Sequence, residues 1–257
     1  MRRTCLVLAC ALAALVGVVQ GFAQDPVRTS LTLKTRVNLG GKQVKFSRKR
    51  FYLFKGGAEA NKALVERIKA AAYTSRDCFY CAQKASPAYI SWLKEADCES
   101  PYCREISADD VVKVPEFAAA YRKGLTAFKN KPDIARAWVT TNLPAALRDG
   151  YYLQKKKAVD AALGGVAPVG TVMTEASNQQ ATFIDIALAG TTAEKFLVSN
   201  ILPFEYSGKA YTWICEIDMK AVPTLFILPA SDTTKHVKTC DVIVRDLPKC
   251  DAGGCAQ

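Results

Sequence analysis

The sequence predicts an α+β protein, in which an antiparallel β-sandwich of seven or eight strands is interrupted by an inserted helical domain. Three changes of pattern lead to this prediction. Apolar residues alternate with polar ones over residues 29–55, adopt helical spacing over residues 58–163, and alternate again over residues 166–246. Alternation is typical of half-buried strands, whereas steps of three and four residues are typical of amphipathic helices.

The N-terminal residues 1–23 have the pattern of a secretory signal peptide. Two arginines precede an apolar run over residues 5–19, and small residues favour cleavage after Ala23. The run is short for a membrane-spanning helix. A lipoprotein signal ending at Cys10 and an uncleaved anchor are the alternatives. We therefore expect an exported protein, secreted or periplasmic, with no transmembrane segment after cleavage.

Residues 24–57 are predicted to form the first part of the sandwich as a pair of strands. Apolar side chains alternate with polar ones on both sides of a glycine turn, at Leu31, Leu33, Val37, Val44 and Phe46, and again at Phe51 and Leu53. The alternation changes phase at residues 47–50, "SRKR", which indicates a bulge or a short loop between strands.

Residues 58–163 predict a helical insertion of roughly five helices. A stripe at Leu64, Ile68 and Ala71 marks the first helix. Ser86 followed by Pro87 is an N-cap with proline at the first helical position. Prolines also begin the later helices, at Pro115, Pro132 and about Pro144, and Gly164 with Gly165 ends the last helix after Leu163. The pair Asp109 and Asp110 is interpreted as the polar start of a helix.

Residues 164–246 predict the second part of the sandwich, followed by a C-terminal tail at residues 247–257. Six short alternating runs are separated by turns rich in Ser, Gly, Asn and Thr. Together with the N-terminal strands they give the spacing expected of a sandwich.

The strand segments resemble the carboxypeptidase regulatory-like, or transthyretin-like, β-sandwich family. The matching positions are Gly41, Val44, Thr174, Glu175, Phe183 and Gly190. The sequence differs from the family pattern where Glu175 replaces the usual Asp, Gln179 replaces a glycine and Ala189 replaces a proline. The resemblance covers about 80 residues on both sides of the insertion. It implies a seven-stranded accessory or binding domain without catalytic residues.

Ten cysteines are present, and removal of Cys5 and Cys10 with the signal leaves eight. An even number in an exported chain favours disulfides, although spacing does not determine their pairing. The predicted disulfide cysteines are Cys78, Cys81, Cys98, Cys103, Cys215, Cys240, Cys250 and Cys255. We expect a nested pairing of Cys81 with Cys98 and Cys78 with Cys103, a bridge between the strands of Cys215 and Cys240, and a small loop closed by Cys250 and Cys255.

Two alternatives apply to the cysteines of residues 78–103. Four thiolates could bind zinc in a tetrahedral site, but export favours oxidation and no histidine lies nearby. Cys78 and Cys81 form a C-x-x-C pair, and residues 221–228, "AVPTLFIL", are similar to the proline-containing strand of thioredoxin-like proteins. A polar segment rather than a buried strand precedes the pair, so we favour structural disulfides.

A basic stretch with interleaved aromatic residues is the candidate binding site. Its four proposed binding residues are Lys45, Arg48, Lys49 and Arg50, and Lys155, Lys156 and Lys157 form a second cluster. Such stretches bind polyanions or anionic surfaces. The alternative is an edge strand whose charges prevent pairing with other sheets.

No cofactor or metal is predicted, because the sequence contains no phosphate-binding loop, nucleotide glycine motif or metal-ligand spacing built on histidine. The single histidine, His236, is interpreted as a solvated residue at a strand end. We expect an exported binding or structural protein, with an anionic surface, a polyanion or another exported protein as partner and nucleic acid disfavoured by export. The alternative function is a periplasmic thiol-disulfide oxidoreductase that uses Cys78 and Cys81.

Overall fold

The computed structural model describes residues 27–39, 41–190, 193–220, 222–229, 239–248 and 250. Within them the protein is a mixed α+β structure with eleven strands and nine helices. The predicted signal peptide, His236 and Cys255 lie outside these residues. None of the helices in the described ranges is long and apolar enough to cross a membrane.

The eleven strands exceed the predicted seven or eight. They are β1 (Val27–Lys34), β2 (Arg36–Leu39), β3 (Lys42–Lys45), β4 (Arg50–Lys55), β5 (Gly170–Met173), β6 (Gln180–Leu188), β7 (Glu194–Ser199), β8 (Phe204–Tyr206), β9 (Lys209–Met219), β10 (Thr224–Ile227) and β11 (Cys240–Asp246). The predicted N-terminal pair is four strands, because the chain breaks at Thr35, turns at Gly41, where φ is +76°, and loops between Lys45 and Arg50. This short loop agrees with the bulge or short loop predicted from the change of phase at residues 47–50.

All nine described helices lie between β4 and β5. They are α1 (Lys62–Ala70), α2 (Arg76–Ala82), α3 (Pro87–Glu95), α4 (Ala108–Lys113), α5 (Pro115–Ala127), α6 (Pro132–Ala137), α7 (Val139–Asn142), α8 (Ala145–Arg148) and α9 (Gly150–Leu163). The predicted number of five was too low because several helices are short, such as α7 and α8 with four residues each. The last predicted helix is divided at Asp149 into α8 and α9.

Helix boundaries follow the capping signals in the sequence. The Ser86 hydroxyl accepts a hydrogen bond from the Tyr89 amide at 3.1 Å, with Pro87 in the first turn. Ser107 and Asp110 form a reciprocal capping box, which confirms the predicted polar helix start. Gly164 ends α9 in the left-handed conformation at φ +55°, which glycine adopts without steric cost.

Strand pairing gives a six-stranded sheet, a three-stranded sheet and a hairpin. The six-stranded sheet has the order β11-β9-β7-β4-β5, with β8 also paired to β9, and the three-stranded sheet has the order β10-β1-β6. The hairpin is β2-β3. Among the described pairs only β1 and β10 run parallel, so the fold departs from the fully antiparallel prediction at that edge.

The three-stranded and six-stranded sheets and the hairpin contribute to one apolar core. It includes Leu31 and Leu33 of β1, Phe183 of β6, and Trp213 of β9, all at most 2% exposed. Phe46 and Trp213 meet with ring centroids 5.5 Å apart. These contacts describe a sandwich-like arrangement, because apolar faces of separate sheets are buried against each other.

The opposite face of the six-stranded sheet is covered by helices. Tyr52 and Phe54 of β4 pack with Leu64 of α1 and Ala162 of α9 in a second core. Strand β4 is therefore buried on both faces, which explains why "FYLF" is continuously apolar. A third core lies within the helical segment and contains Tyr80, Tyr89, Trp92 and Phe117.

The disulfides correct most of the expected pairings. Cys78 bonds Cys250, and Cys98 bonds Cys103, so the predicted nested pairing and the predicted loop from Cys250 to Cys255 are wrong. The nested pairing failed because Cys98 and Cys103 lie in the same tight loop, with Cα atoms 5.7 Å apart. The predicted bridge from Cys215 to Cys240 is confirmed, and these residues face each other directly in the β9–β11 register.

We expect the disulfide from Cys78 to Cys250 to stabilise the fold more than the one from Cys98 to Cys103. The first bond joins residues 172 positions apart in the sequence, and the second joins residues 5 positions apart. By the loop-entropy relation, removing the long-range bridge costs about 5 kcal/mol and removing the short one about 2 kcal/mol. The free energy of unfolding, from denaturant titrations of Cys78→Ala/Cys250→Ala and Cys98→Ala/Cys103→Ala, measures both costs. A larger cost for the short-loop pair would contradict the expectation.

Candidate anion-binding cleft

The basic stretch passes from β3 to β4 through a tight connection whose backbone is fixed by Thr174. Arg48 has φ +56°, a left-handed conformation that is uncommon for a residue with a side chain. Its amide donates to the Thr174 carbonyl at 2.9 Å, and the Lys49 amide donates to the Thr174 hydroxyl at 2.8 Å. Thr174 is buried at 2% exposure. These hydrogen bonds hold Arg48 and its neighbours in a defined orientation.

Lys49 does not belong to an exposed binding surface. Its side chain is 6% exposed, and its ammonium group lies 3.0 Å from Asp97 and 3.9 Å from Glu99. The ammonium is also 5.9 Å from the centre of the Phe204 ring. A buried cation needs such partners because the loss of hydration is costly. Lys49 therefore joins the sandwich to the helical segment, and the sequence interpretation of it as a surface residue is corrected.

The edge-strand interpretation is wrong for the part of the basic stretch that forms β4, whereas Lys45 lies in β3 of the two-stranded hairpin. Strand β4 lies inside the six-stranded sheet, between β7 and β5. Tyr52 pairs with Ser199 on one side and Thr171 on the other. Charges at Arg48 and Arg50 are consequently not needed to protect an open edge of that strand.

The segment from Asp97 to Cys103, which we call the acidic loop, receives contacts from several elements. Lys155 of α9 donates to both carboxylate oxygens of Glu99 at 2.8 Å. Arg48 donates to the Cys103 carbonyl at 2.9 Å, and the Tyr80 hydroxyl donates to the Glu99 carbonyl at 2.9 Å. Burial opposes ionisation of Glu99, but Lys155 and Lys49 outweigh it and hold the pKa of Glu99 below its ordinary value.

A cleft of about 310 Å³ lies between the start of β4 and α9. It brings together the two basic clusters that the sequence showed separately. Arg48, Lys49, Arg50, Lys155 and Lys156 all line it. Two residues of the same clusters do not, since Lys45 lies in another groove and Lys157 lines a different concavity beside α9.

Positive charge exceeds negative charge around the cleft. Five basic residues line it against two acidic ones, Glu99 and Asp160, and Asp97 adds a third acid from outside, which leaves an excess of two positive charges. Lys49 and Lys155 are occupied by the acidic loop, and Lys156 pairs with Asp160 at 3.0 Å. Among the described residues, Arg50 has no ion-pair partner, so its guanidinium is open to an external anion.

The cleft also has an apolar surface that the sequence analysis missed. Tyr52, Leu202, Val159 and Leu163 line it from the sheet and from α9. Of the aromatic residues interleaved in the basic stretch, Tyr52 lines the cleft, whereas Phe46, Phe51 and Phe54 are buried in the cores. The missed signal is a single face of α9, at Tyr152, Lys155, Lys156, Val159, Asp160 and Leu163, spaced at three and four residues.

Cys78 and Cys81 are not bonded to each other. Cys78 bonds Cys250, and Cys81 is also disulfide-bonded. Moreover Cys81 belongs to the helical core, whereas Phe226 of the proline-containing segment packs on the sandwich core. The residues covered by the structure contain no group of three or more potential metal ligands.

Comparisons with protein-family models, with curated proteins and with solved structures find no match for this chain. The resemblance to carboxypeptidase regulatory-like sandwiches therefore stays a prediction.

The acidic loop predicts a defined pH dependence of stability. The pKa of Glu99 is lowered by folding, so its contribution is present above its ordinary value of about 4.5 and is lost as the pH falls below it. Glu99→Gln should lower the free energy of unfolding at pH 7 by about 1 kcal/mol or less, because the carboxylate is 45% exposed and partly screened. At about pH 3 the difference should shrink.

Denaturant titrations at the two pH values check this expectation. Glu105→Gln is the matched control, because Glu105 is exposed and forms no ion pair with the described residues. An effect of Glu99→Gln that is equal at both pH values, or equal to that of Glu105→Gln, would contradict the role of Glu99.

Proposed function

We propose that this chain is an exported binding protein that holds an anionic ligand in the cleft between β4 and α9. One observation carries the proposal. Arg50 and Lys156, more than a hundred positions apart in sequence, line one concavity together with apolar side chains from both elements. Small-molecule sites in proteins are typically concave and mostly apolar, with a few polar groups that orient the ligand.

Export is supported by the signal-like N-terminus and by the disulfides. Three cysteine pairs are bonded in the described residues, and such bonds persist mainly in oxidising compartments. The sandwich-like strands are compatible with the binding domain that the family resemblance implies. We propose this sandwich as the framework that positions the cleft.

Binding, rather than thiol-disulfide exchange, is the function that we propose. An oxidoreductase of the predicted type needs Cys78 and Cys81 as a reversible pair. The bond from Cys78 to Cys250 instead fastens α2 to the segment after β11. The proposal therefore assigns these cysteines a structural role and assigns the cationic cleft the functional one.

Replacing Arg50 and Lys156 by glutamine should weaken retention on a heparin resin, because the cleft loses one exposed cation from each of its two walls. The Arg50→Gln/Lys156→Gln variant should elute at lower salt than the unaltered protein. Its free energy of unfolding should change by less than about 1 kcal/mol, since exposed substitutions and an exposed i,i+4 ion pair contribute little.

The matched control is Lys45→Gln/Lys157→Gln, which removes the same charge from the same two basic clusters outside the cleft. This control should elute close to the unaltered protein. Equal shifts for the two variants would show that retention reports overall charge, and the cleft would not be the binding site.

A further inference from the structure

We propose that the ligand of this cleft is a single-chain anionic amphiphile, with an oxyanion head, carboxylate or phosphate, at the basic residues and a short apolar body along the cleft. This inference rests on the proposed function and specifies its ligand class. It follows from how the charges are paired, from the apolar lining and from the volume of the cleft.

The head position is defined by which cations remain available. Lys49 and Lys155 already contact the carboxylates of the acidic loop. Arg50 has no ion-pair partner among the described residues. One guanidinium nitrogen of Arg48 donates a hydrogen bond to the Cys103 carbonyl, and its other guanidinium nitrogens have no such partner there. An arginine presents five N–H donors in a planar fork that matches carboxylate and phosphate oxygens. Both arginines line the cleft with donors that an oxyanion can use.

The apolar body has a separate place to bind. Tyr152 of α9 and Met173 of β5 line the cleft and are 54% and 51% exposed. Leu202 and Val159 also contribute apolar side chains to the lining of the cleft. Asn200 offers no competing polar group, because its amide nitrogen donates to Leu202 and Tyr211 and its oxygen accepts from the Trp213 amide.

An extended polyanion fits this site less well than an amphiphile. The acidic side chains Asp97, Glu99 and Asp160 stand beside the cations and weaken the binding of an anion that extends along the surface, so heparin is a probe of the cations rather than a matching ligand. The volume of about 310 Å³ lies near the lower end of small-molecule sites. One head and a short chain match both the local charge and the available space.

Calorimetric titration of the purified protein at low salt tests the inference with four probes below their micelle concentrations. Octyl phosphate and octanoate carry both head and body, inorganic phosphate carries only a head, and octanol carries only a body. We expect at least one octyl anion to bind about tenfold more tightly than inorganic phosphate and octanol. The tighter of the two octyl anions identifies the head.

Two substitutions separate the parts of the site. Arg50→Gln should weaken octyl-anion binding about tenfold or more. Met173→Gln should weaken the octyl anions while leaving inorganic phosphate unchanged. Leu153→Gln is the control for Met173, because Leu153 is equally exposed at 51% but lies outside the cleft.

Each remaining outcome overturns the amphiphile inference. If inorganic phosphate or octanol binds as tightly as the octyl anions, or if Met173→Gln weakens them no more than Leu153→Gln does, the ligand class is wrong, while anion binding by Arg50 and Lys156 is decided separately by the heparin experiment. If substitution of Arg50 and Lys156 changes neither the affinity for the octyl anions nor the retention on heparin, the proposed function fails together with the inference.

Discussion

The buried ammonium group of Lys49 is the contact on which the arrangement of the cleft depends. Lys49 belongs to the loop before β4, and its ammonium nitrogen lies 3.0 Å from a carboxylate oxygen of Asp97 and 3.9 Å from one of Glu99, both in the helical segment. A charge that is withdrawn from water requires a partner at close range, so the position of the acidic loop is tied to the sheet. Through Glu99 the same loop fixes Lys155, and through the Cys103 carbonyl it fixes Arg48. Both walls of the cleft are therefore aligned by one loop.

The second constraint is that the centre of the six-stranded sheet, at β4, β7 and β9, is buried on both faces. Phe51 and Leu53 face the sandwich core, whereas Tyr52 and Phe54 pack against α1 and α9. The helical segment is consequently part of the core structure, because its first and last helices, α1 and α9, bury the apolar side chains on one face of the sheet. This packing places the basic and apolar face of α9 opposite Arg50.

Local features of this fold could be predicted from the sequence, whereas features formed by distant residues could not. Ser86, Pro115 and Gly164 mark helix ends through chemistry that acts within a few residues. Cys215 and Cys240 lie in runs with clear strand patterns, and their pairing was expected. The cleft combines Arg50 with Lys156, and no local pattern reports a contact across that interval. The burial of Lys49 likewise depends on a loop that enters the structure from the helical segment.

The disulfide between Cys78 and Cys250 constrains the order in which the chain can be completed. Cys78 is synthesised 172 residues before its partner, so α2 is available to fold long before the bond can form. Strands β5 to β11 all lie within the interval that the bond encloses. The bond can therefore form only after β5 to β11 have been synthesised, so Cys78 has to reach that stage without a permanent bond to another cysteine.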